Sequence, residues 1–234
     1  MTNTPTTITD TTSPQQVDQQ WLDAMWEWFK NAQSSHSLKD YVKRSVGIIE
    51  GNRYANNAVI MNPETGNVLT YEEAKAIIIA NKAAGVYQMR NGCTQSIANL
   101  ERCDAYDAAA DAARAIVRAA DAQWETRQWN RYFLVCSSNG HIHSSTNCHT
   151  CNKGKNPTQF ALVPSLSGKD IDAAVAELGS ALCSVCFPDA PVEYKEQQKI
   201  TMSQAQTLLE KGEEAFKEAV AKAAERKAKK AAKV

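Results

Sequence analysis

The feature that most constrains this chain is a pair of matched cysteine doublets, Cys148-His149-Thr150-Cys151 and Cys183-Ser184-Val185-Cys186, separated by 31 residues. Two residues between cysteines let one tight turn aim both sulfurs at a single point, and two such doublets are the sequence form of a four-thiolate tetrahedral metal site. Soft thiolates select zinc over hard cations. The sequence therefore predicts a structural Zn²⁺ site at Cys148, Cys151, Cys183 and Cys186. Such a site is closed, with no position left for a catalytic water.

The compartment fits this reading. Met1 is followed by a polar, threonine-rich run with neither a basic segment nor an apolar core of the kind that marks a secretory signal. The longest apolar run, near Ala76–Ala80, is far too short to span a membrane. The expectation is a soluble cytoplasmic protein with no membrane partner, whose seven cysteines are thiols or ligands rather than bridges.

Around the doublets the chain reads as α+β. Residues 1–15 look like a disordered tail, residues 16–130 a helical domain, residues 131–192 the zinc module, and residues 193–234 a helical basic arm. In the helical part, Trp21, Leu22, Met25, Trp26, Trp28 and Phe29 form an apolar stripe at helical spacing. That stripe serves either as core or as an aromatic face for a protein partner. A second helix is expected to begin after Ser37, and a short hairpin to pair Val59–Met61 with Val68-Leu69. Thr70 and Glu73 have capping-box spacing and open a helix running to about Gly85. The strongest helical signal runs from about Thr94 to Arg127, where ten of the eighteen residues from Ala105 to Ala122 are alanine.

The character of the sequence changes at Arg131. Tyr132–Cys136 is strand-prone, Asn139-Gly140 is a hairpin turn signal, and His141-Ile142-His143 is the return strand. A two-residue turn there would pair Cys136 with His143 and put Cys136, Ser138, His141 and His143 on one face. A strand at Gln159–Val163 and a helix from Lys169 to about Leu178 fill the gap between the doublets, an outline resembling a treble clef or zinc ribbon. The histidines leave three readings open: neighbours of the site, a ligand swap in which His143 or His149 replaces one cysteine, or a hydrolase or nuclease site using His141 and His143. A zinc deaminase is excluded by its own motif. The residue two after His141 is His143 rather than the glutamate proton shuttle, and neither doublet follows a proline.

The ordered string Arg131–Val135, Asn139–Ser144, Cys148–Cys151 and Leu182–Pro188 resembles a group of zinc-binding proteins encoded by phages of actinobacteria. The resemblance covers about Arg131 to Val192, roughly a quarter of the chain. It implies a phage origin, expression in the bacterial host cytoplasm and a zinc-binding module. It implies no activity.

Net charge is zero, but it is distributed. The four segments carry −1, −2, 0 and +3, and the excess lies in the C-terminal arm. Lys222, Arg226, Lys227, Lys229, Lys230 and Lys233 face a single acid there, Glu225. This is either a solvated helix end or an arm that contacts phosphates. Two binding functions follow, with nucleic acid or with a host or phage protein, and both are non-enzymatic.

Overall fold

The structure, a computed structural model, describes residues 8–51, 58–86, 89–136, 141–152, 157–178 and 181–188, together with separate positions between 207 and 229 that are all helical. The Asn139-Gly140 turn, Gly179, and Lys227, Lys230 and Lys233 lie outside the described residues. Among the described residues the architecture is α+β: long helices with three small antiparallel sheets. Packing divides the chain into two compact units, residues 24–116 and residues 1–23 with 117–234. Among the described residues, no helix is long and apolar enough to cross a membrane.

Helix α1 (Pro14–Val46) is continuous where the sequence suggested two helices meeting near Ser37. The Ser34–Ser37 stretch has modest helix propensity but contains neither Gly nor Pro to break the ladder. A tertiary contact holds it. Ser35 is buried and its hydroxyl donates to Asp107 at 2.6 Å, while Lys39 pairs with the other oxygen of Asp107 at 2.6 Å. Asp107 belongs to α3 (Ile97–Arg127).

In the 24–116 unit, β1 (Ile48–Glu50) pairs with β2 (Val59–Met61), Ile49 opposite Ile60. The expected hairpin of Val59–Met61 with Val68-Leu69 is one bridge long, Met61 to Val68, with the Asn62 N–H donating to the Asn67 carbonyl at 2.7 Å and the Leu69 N–H to the Ile60 carbonyl at 2.8 Å, while β1 pairs along the other edge of β2. Helix α2 (Tyr71–Ala83) begins on the predicted capping box, with the Thr70 hydroxyl accepting from the Glu73 N–H and the Glu73 carboxylate accepting from the Thr70 N–H. A hairpin of β3 (Met89–Arg90) and β4 (Cys93–Thr94) turns at Asn91-Gly92, both at positive φ (55° and 75°). That is the two-residue turn Asn-Gly favours. The core of this unit is Val42, Val46, Ile60, Leu69, Ala74, Ile78, Leu100 and Cys103.

The other unit carries a three-stranded sheet in the order β6 (Ile142–His143), β5 (Phe133–Val135), β7 (Phe160–Leu162), followed by a 3-10 turn at Pro164–Leu166 and helix α4 (Ile171–Leu178). Helix α3 stops at Arg127 because Gln128 turns into the left-handed region at φ 53°, and the Trp124 indole N–H donates to the Trp129 carbonyl at 2.8 Å across that reversal. Arg131 then enters a buried network. Its Nε donates to Asp18 Oδ1 at 2.9 Å, Nη2 lies 2.8 Å from the same oxygen, and the Trp129 indole N–H donates to Oδ2 at 2.9 Å. Asp18 has no exposed surface. The Arg131 guanidinium also stacks near Trp124 and Trp129, at 4.8 and 5.6 Å from the ring centroids.

Removing one partner from a buried ion pair strands the other charge, at a cost of about 3–5 kcal/mol. Asp18→Ala should lower unfolding stability by about that amount in urea titration, and Asp18→Asn, which keeps acceptor geometry for the Trp129 N–H, by less. Unchanged midpoints for both variants would remove the network from the account.

Candidate metal centre

The sheet of the 1–23/117–234 unit positions the donors. Phe133 faces His143 and Leu134 faces Ile142 across β5 and β6, and the Val135 N–H donates to the His141 carbonyl at 3.0 Å. This corrects the register expected from a two-residue Asn139-Gly140 turn, which would set Cys136 opposite His143. The observed register is offset by three residues. An odd offset sends every side chain of one strand to the opposite face, so Cys136 does not share a face with His143. The register is fixed by burial: it aligns Leu134 with Ile142, both fully buried in one core with Tyr132, Leu166, Leu182 and Phe187. Cys136 instead continues the β5–β7 ladder, its N–H donating to the Gln159 carbonyl at 2.9 Å, with its thiol pushed up in pKa by burial.

The second doublet hangs directly on β6. Leu182 bridges Ile142 in parallel and the Cys183 N–H donates to the Ile142 carbonyl at 2.8 Å. The Phe187 N–H closes that knuckle onto the Cys183 carbonyl at 2.9 Å, and the Cys151 N–H closes the first onto the Cys148 carbonyl, also at 2.9 Å. His143, the next residue along β6 after Ile142, is fully buried between the two knuckles.

Here the donors converge. One ring nitrogen of His143 and the sulfurs of Cys148, Cys183 and Cys186 all lie within 4.8 Å of one another, and this buried group could hold a metal ion. Cys148 and Cys183 Sγ are 4.0 Å apart, and Cys186 Sγ is 3.5 Å from His143 Nδ1. Cys151 sits beside this set, with Sγ 3.5 Å from His143 Nε2 and 3.9 Å from Nδ1. The structure thus gathers all four predicted cysteines around one imidazole and brings in His143, which the doublet spacing alone did not supply. His149 is exposed and is not among the clustered donors, and His141 is half-buried with its ring 4.6 Å from that of His143. The donor set, sulfur with one imidazole, has the chemistry of a soft tetrahedral site.

The electrostatics suit ligation. Burial, reinforced by His141, pulls the His143 pKa down to about 4, so its ring is neutral and carries a free lone pair. Burial pushes the thiols of Cys151 and Cys186 up. Burial acts upward on Cys148 as well, but the Thr150 hydroxyl, 3.1 Å from its sulfur, and the neighbouring sulfurs more than offset it and the net shift is downward. In the same unit a cleft of about 470 Å³, lined by Trp124, Trp129, Arg131 and Phe133 and by Ser145 and Asn147 of the lead-in to Cys148, adjoins the module but contains none of the donors.

Of the arm, Lys222, Arg226 and Lys229 are described; they are exposed and helical, with Lys222 paired to Glu218 and Lys229 to Glu225. Comparison with family models, with curated proteins and with solved structures gives no match.

In metal-free protein the His143 ring should stay neutral until the pH approaches about 4. Its folded pKa lies below the unfolded value of about 6.5, so the unfolded chain binds the proton first. Stability should therefore hold above pH 6.5 and fall as the pH drops from there towards 4. NMR titration of the histidine ring protons checks this; a His143 midpoint near 6.5 would contradict it.

Proposed function

We propose that this chain is a non-enzymatic binding protein whose 131–192 module is organised by a structural Zn²⁺ ion. The observation that supports this most is the mutual approach, within 4.8 Å, of one imidazole and three thiols in a buried cluster. Four soft donors at that spacing fit tetrahedral zinc, and a site filled by protein ligands serves folding rather than catalysis. Among the described residues the cluster contains no carboxylate to act as a general base, which counts against a hydrolase or nuclease built on His141 and His143. The seven cysteines are all unbridged, in keeping with a reducing cytoplasm, which is also where the resemblance to phage proteins would place it.

For the partner we favour a protein, either of the host or of a phage. On α1, Trp26 and Phe29 are 66% and 57% exposed, one helical turn apart. Large exposed aromatics are the residues on which protein interfaces spend most of their binding energy. Nucleic acid is the second reading, supported by Lys222, Arg226 and Lys229, which recur at helical spacing on the described part of the arm. The ion pairs of Lys222 with Glu218 and of Lys229 with Glu225 are exposed and individually worth little, so they do not prevent contact with phosphates.

Metal analysis of the purified chain should find one zinc per molecule, lost in a Cys148→Ser/Cys183→Ser variant, with chelation unfolding the module. Apparent binding energies for such sites are on the order of 10–16 kcal/mol, more than a small core replaces. Protein without metal would sink the reading. For the partner, Trp26→Ala with Phe29→Ala should abolish co-purification of a discrete host protein. A salt-sensitive affinity for DNA or RNA that disappears on deleting residues 222–234 would instead favour nucleic acid.

A further inference from the structure

The cleft beside the metal centre is lined by two segments that independent constraints hold in place. We propose that it binds an uncharged nucleobase, free as a nucleoside or unpaired in a single strand, and that the metal centre fixes one of the two segments. The part given to the metal rests on the zinc reading above; the cleft and its chemistry are a separate observation.

Its volume is about 470 Å³, within the range of about 300–1,000 Å³ of small-molecule sites. Trp124, Trp129, Phe133 and Ile171 supply apolar surface; the three aromatic side chains are half-buried and Ile171 is 47% exposed. The indole N–H groups are spent inside the protein, that of Trp124 on the Trp129 carbonyl and that of Trp129 on Asp18. These rings therefore offer carbon surface to a ligand. Among the described lining residues Arg131 alone is charged, and Asp18 and Asp121 meet its guanidinium at 2.8 and 3.2 Å. With no free cation to match a phosphate or carboxylate, the cleft suits an uncharged ligand. Amides and hydroxyls supply the hydrogen bonds. Gln128 and Asn130 spend side-chain N–H groups on the Glu125 and Lys169 carbonyls, which leaves their oxygens as acceptors. Among the described residues the Thr146 hydroxyl and the Asn147 side-chain amide have no protein partner and can donate. Ring surface flanked by donors and acceptors is what a nucleobase requires: its faces stack on aromatic side chains, and its edge carries donors and acceptors in one plane.

The segment Ser144–Asn147 is the four-residue link between His143 and Cys148, two of the clustered donors. Ligation of both residues by one ion fixes both ends of the link. Within it the Ser144 N–H and hydroxyl donate to the Cys186 sulfur, and the Asn147 N–H to Ser145 Oγ at 3.1 Å. The other segment is set without metal, by the Arg131–Asp18 pair and the reversal at Gln128. Ordering a segment at the moment of binding subtracts from affinity, and a segment already held does not. The metal centre thus connects to ligand binding while keeping a closed coordination shell.

The test titrates the zinc-loaded full chain with adenosine, guanosine, cytidine and uridine and follows the indole N–H signals by NMR. At least one nucleoside should bind saturably and shift the Trp124 and Trp129 signals but not those of Trp26 and Trp28, with an affinity that salt does not change. The matching 5′-monophosphate should bind no tighter. Phe133→Ala should weaken binding about 5–150-fold through lost stacking. Because Phe133 is part of β5, a second variant, Asn147→Ala, removes only an exposed amide; it should weaken binding about 2–10-fold and leave the zinc content unchanged. Coupling is reciprocal, so saturating nucleoside should also raise zinc affinity, read by competition with a chelator. A single-stranded homopolymer that displaces the nucleoside at lower concentration identifies the strand as the source of the base; one that binds no tighter identifies the free molecule. Zinc-loaded protein that binds no nucleoside, or that binds glucose or N-acetylglucosamine in its place, would overturn the proposal and leave the zinc reading standing. Zinc affinity unmoved by bound nucleoside would overturn the part given to the metal. Protein that binds nucleoside but takes up no zinc would overturn that part together with the zinc reading.

Discussion

The 131–192 module depends on what lies where β6 meets the two cysteine knuckles. Its strands are two or three residues long, too short for a sheet to stand by its own ladder. Its apolar core is also not separable from the donors, since Cys148 and Cys183 are members of the same buried cluster as Leu134, Ile142 and Phe187. Each large aliphatic side chain in such a core contributes about 1.5–3 kcal/mol, and the conformational entropy of ordering the residues offsets most of it. A bound structural ion contributes several times more than any one of these side chains. The proposed ion is thus the term that decides whether this module is folded. The hydrophobic contacts decide its register.

A second constraint is independent of the metal. Asp18 is fully buried, and it belongs to α1, more than a hundred residues from the Arg131 it pairs with. A buried carboxylate is tolerated only if its charge and lone pairs are met, and here Arg131 and Trp129 meet both oxygens. Arg131 is in turn held against Trp124 and Trp129 and reaches Asp121 at 3.2 Å. The network fixes the chain at the residue before the core tyrosine, Tyr132, whose hydroxyl donates to the Lys169 carbonyl at 2.9 Å. The entry to the sheet is therefore set by polar chemistry, before any strand pairing.

These two constraints differ in how far the sequence reveals them. The doublets are legible because ligand spacing is local: two residues between cysteines mean the same thing in any context. The capping box at Thr70 and Glu73 is legible for the same reason. Register is not local. Asn139-Gly140 suggested a two-residue turn, yet the pairing follows the burial of Leu134 against Ile142, which depends on residues brought from 163–187. The same dipeptide at Asn91-Gly92 does form the tight hairpin, and there the flanking strands, two residues each, are too short to have signalled strands. The continuity of α1 through Ser35 depends on Asp107, and the pairing of Asp18 on Arg131. Neither partner is recognisable from periodicity, because a single buried polar contact leaves no repeat.

Charge gives a physical reason for the histidine to stand in the ligand set. Zinc with four thiolates is a centre of net charge −2, while three thiolates and a neutral imidazole give −1. The cost of burying a charge rises with its square, so the first is about four times as expensive to hold in a low-dielectric interior by the Born relation. The groups acting on these sulfurs are mostly neutral hydrogen-bond donors, Thr150 at Cys148 and Ser144 at Cys186. Such donors relieve part of one negative charge and fall well short of cancelling two. In the proposed site His143, kept neutral by its own burial, completes the donor number without adding charge. The same low-dielectric pocket that strips the imidazole of its proton thus favours, in the proposed site, the ligand that adds no charge.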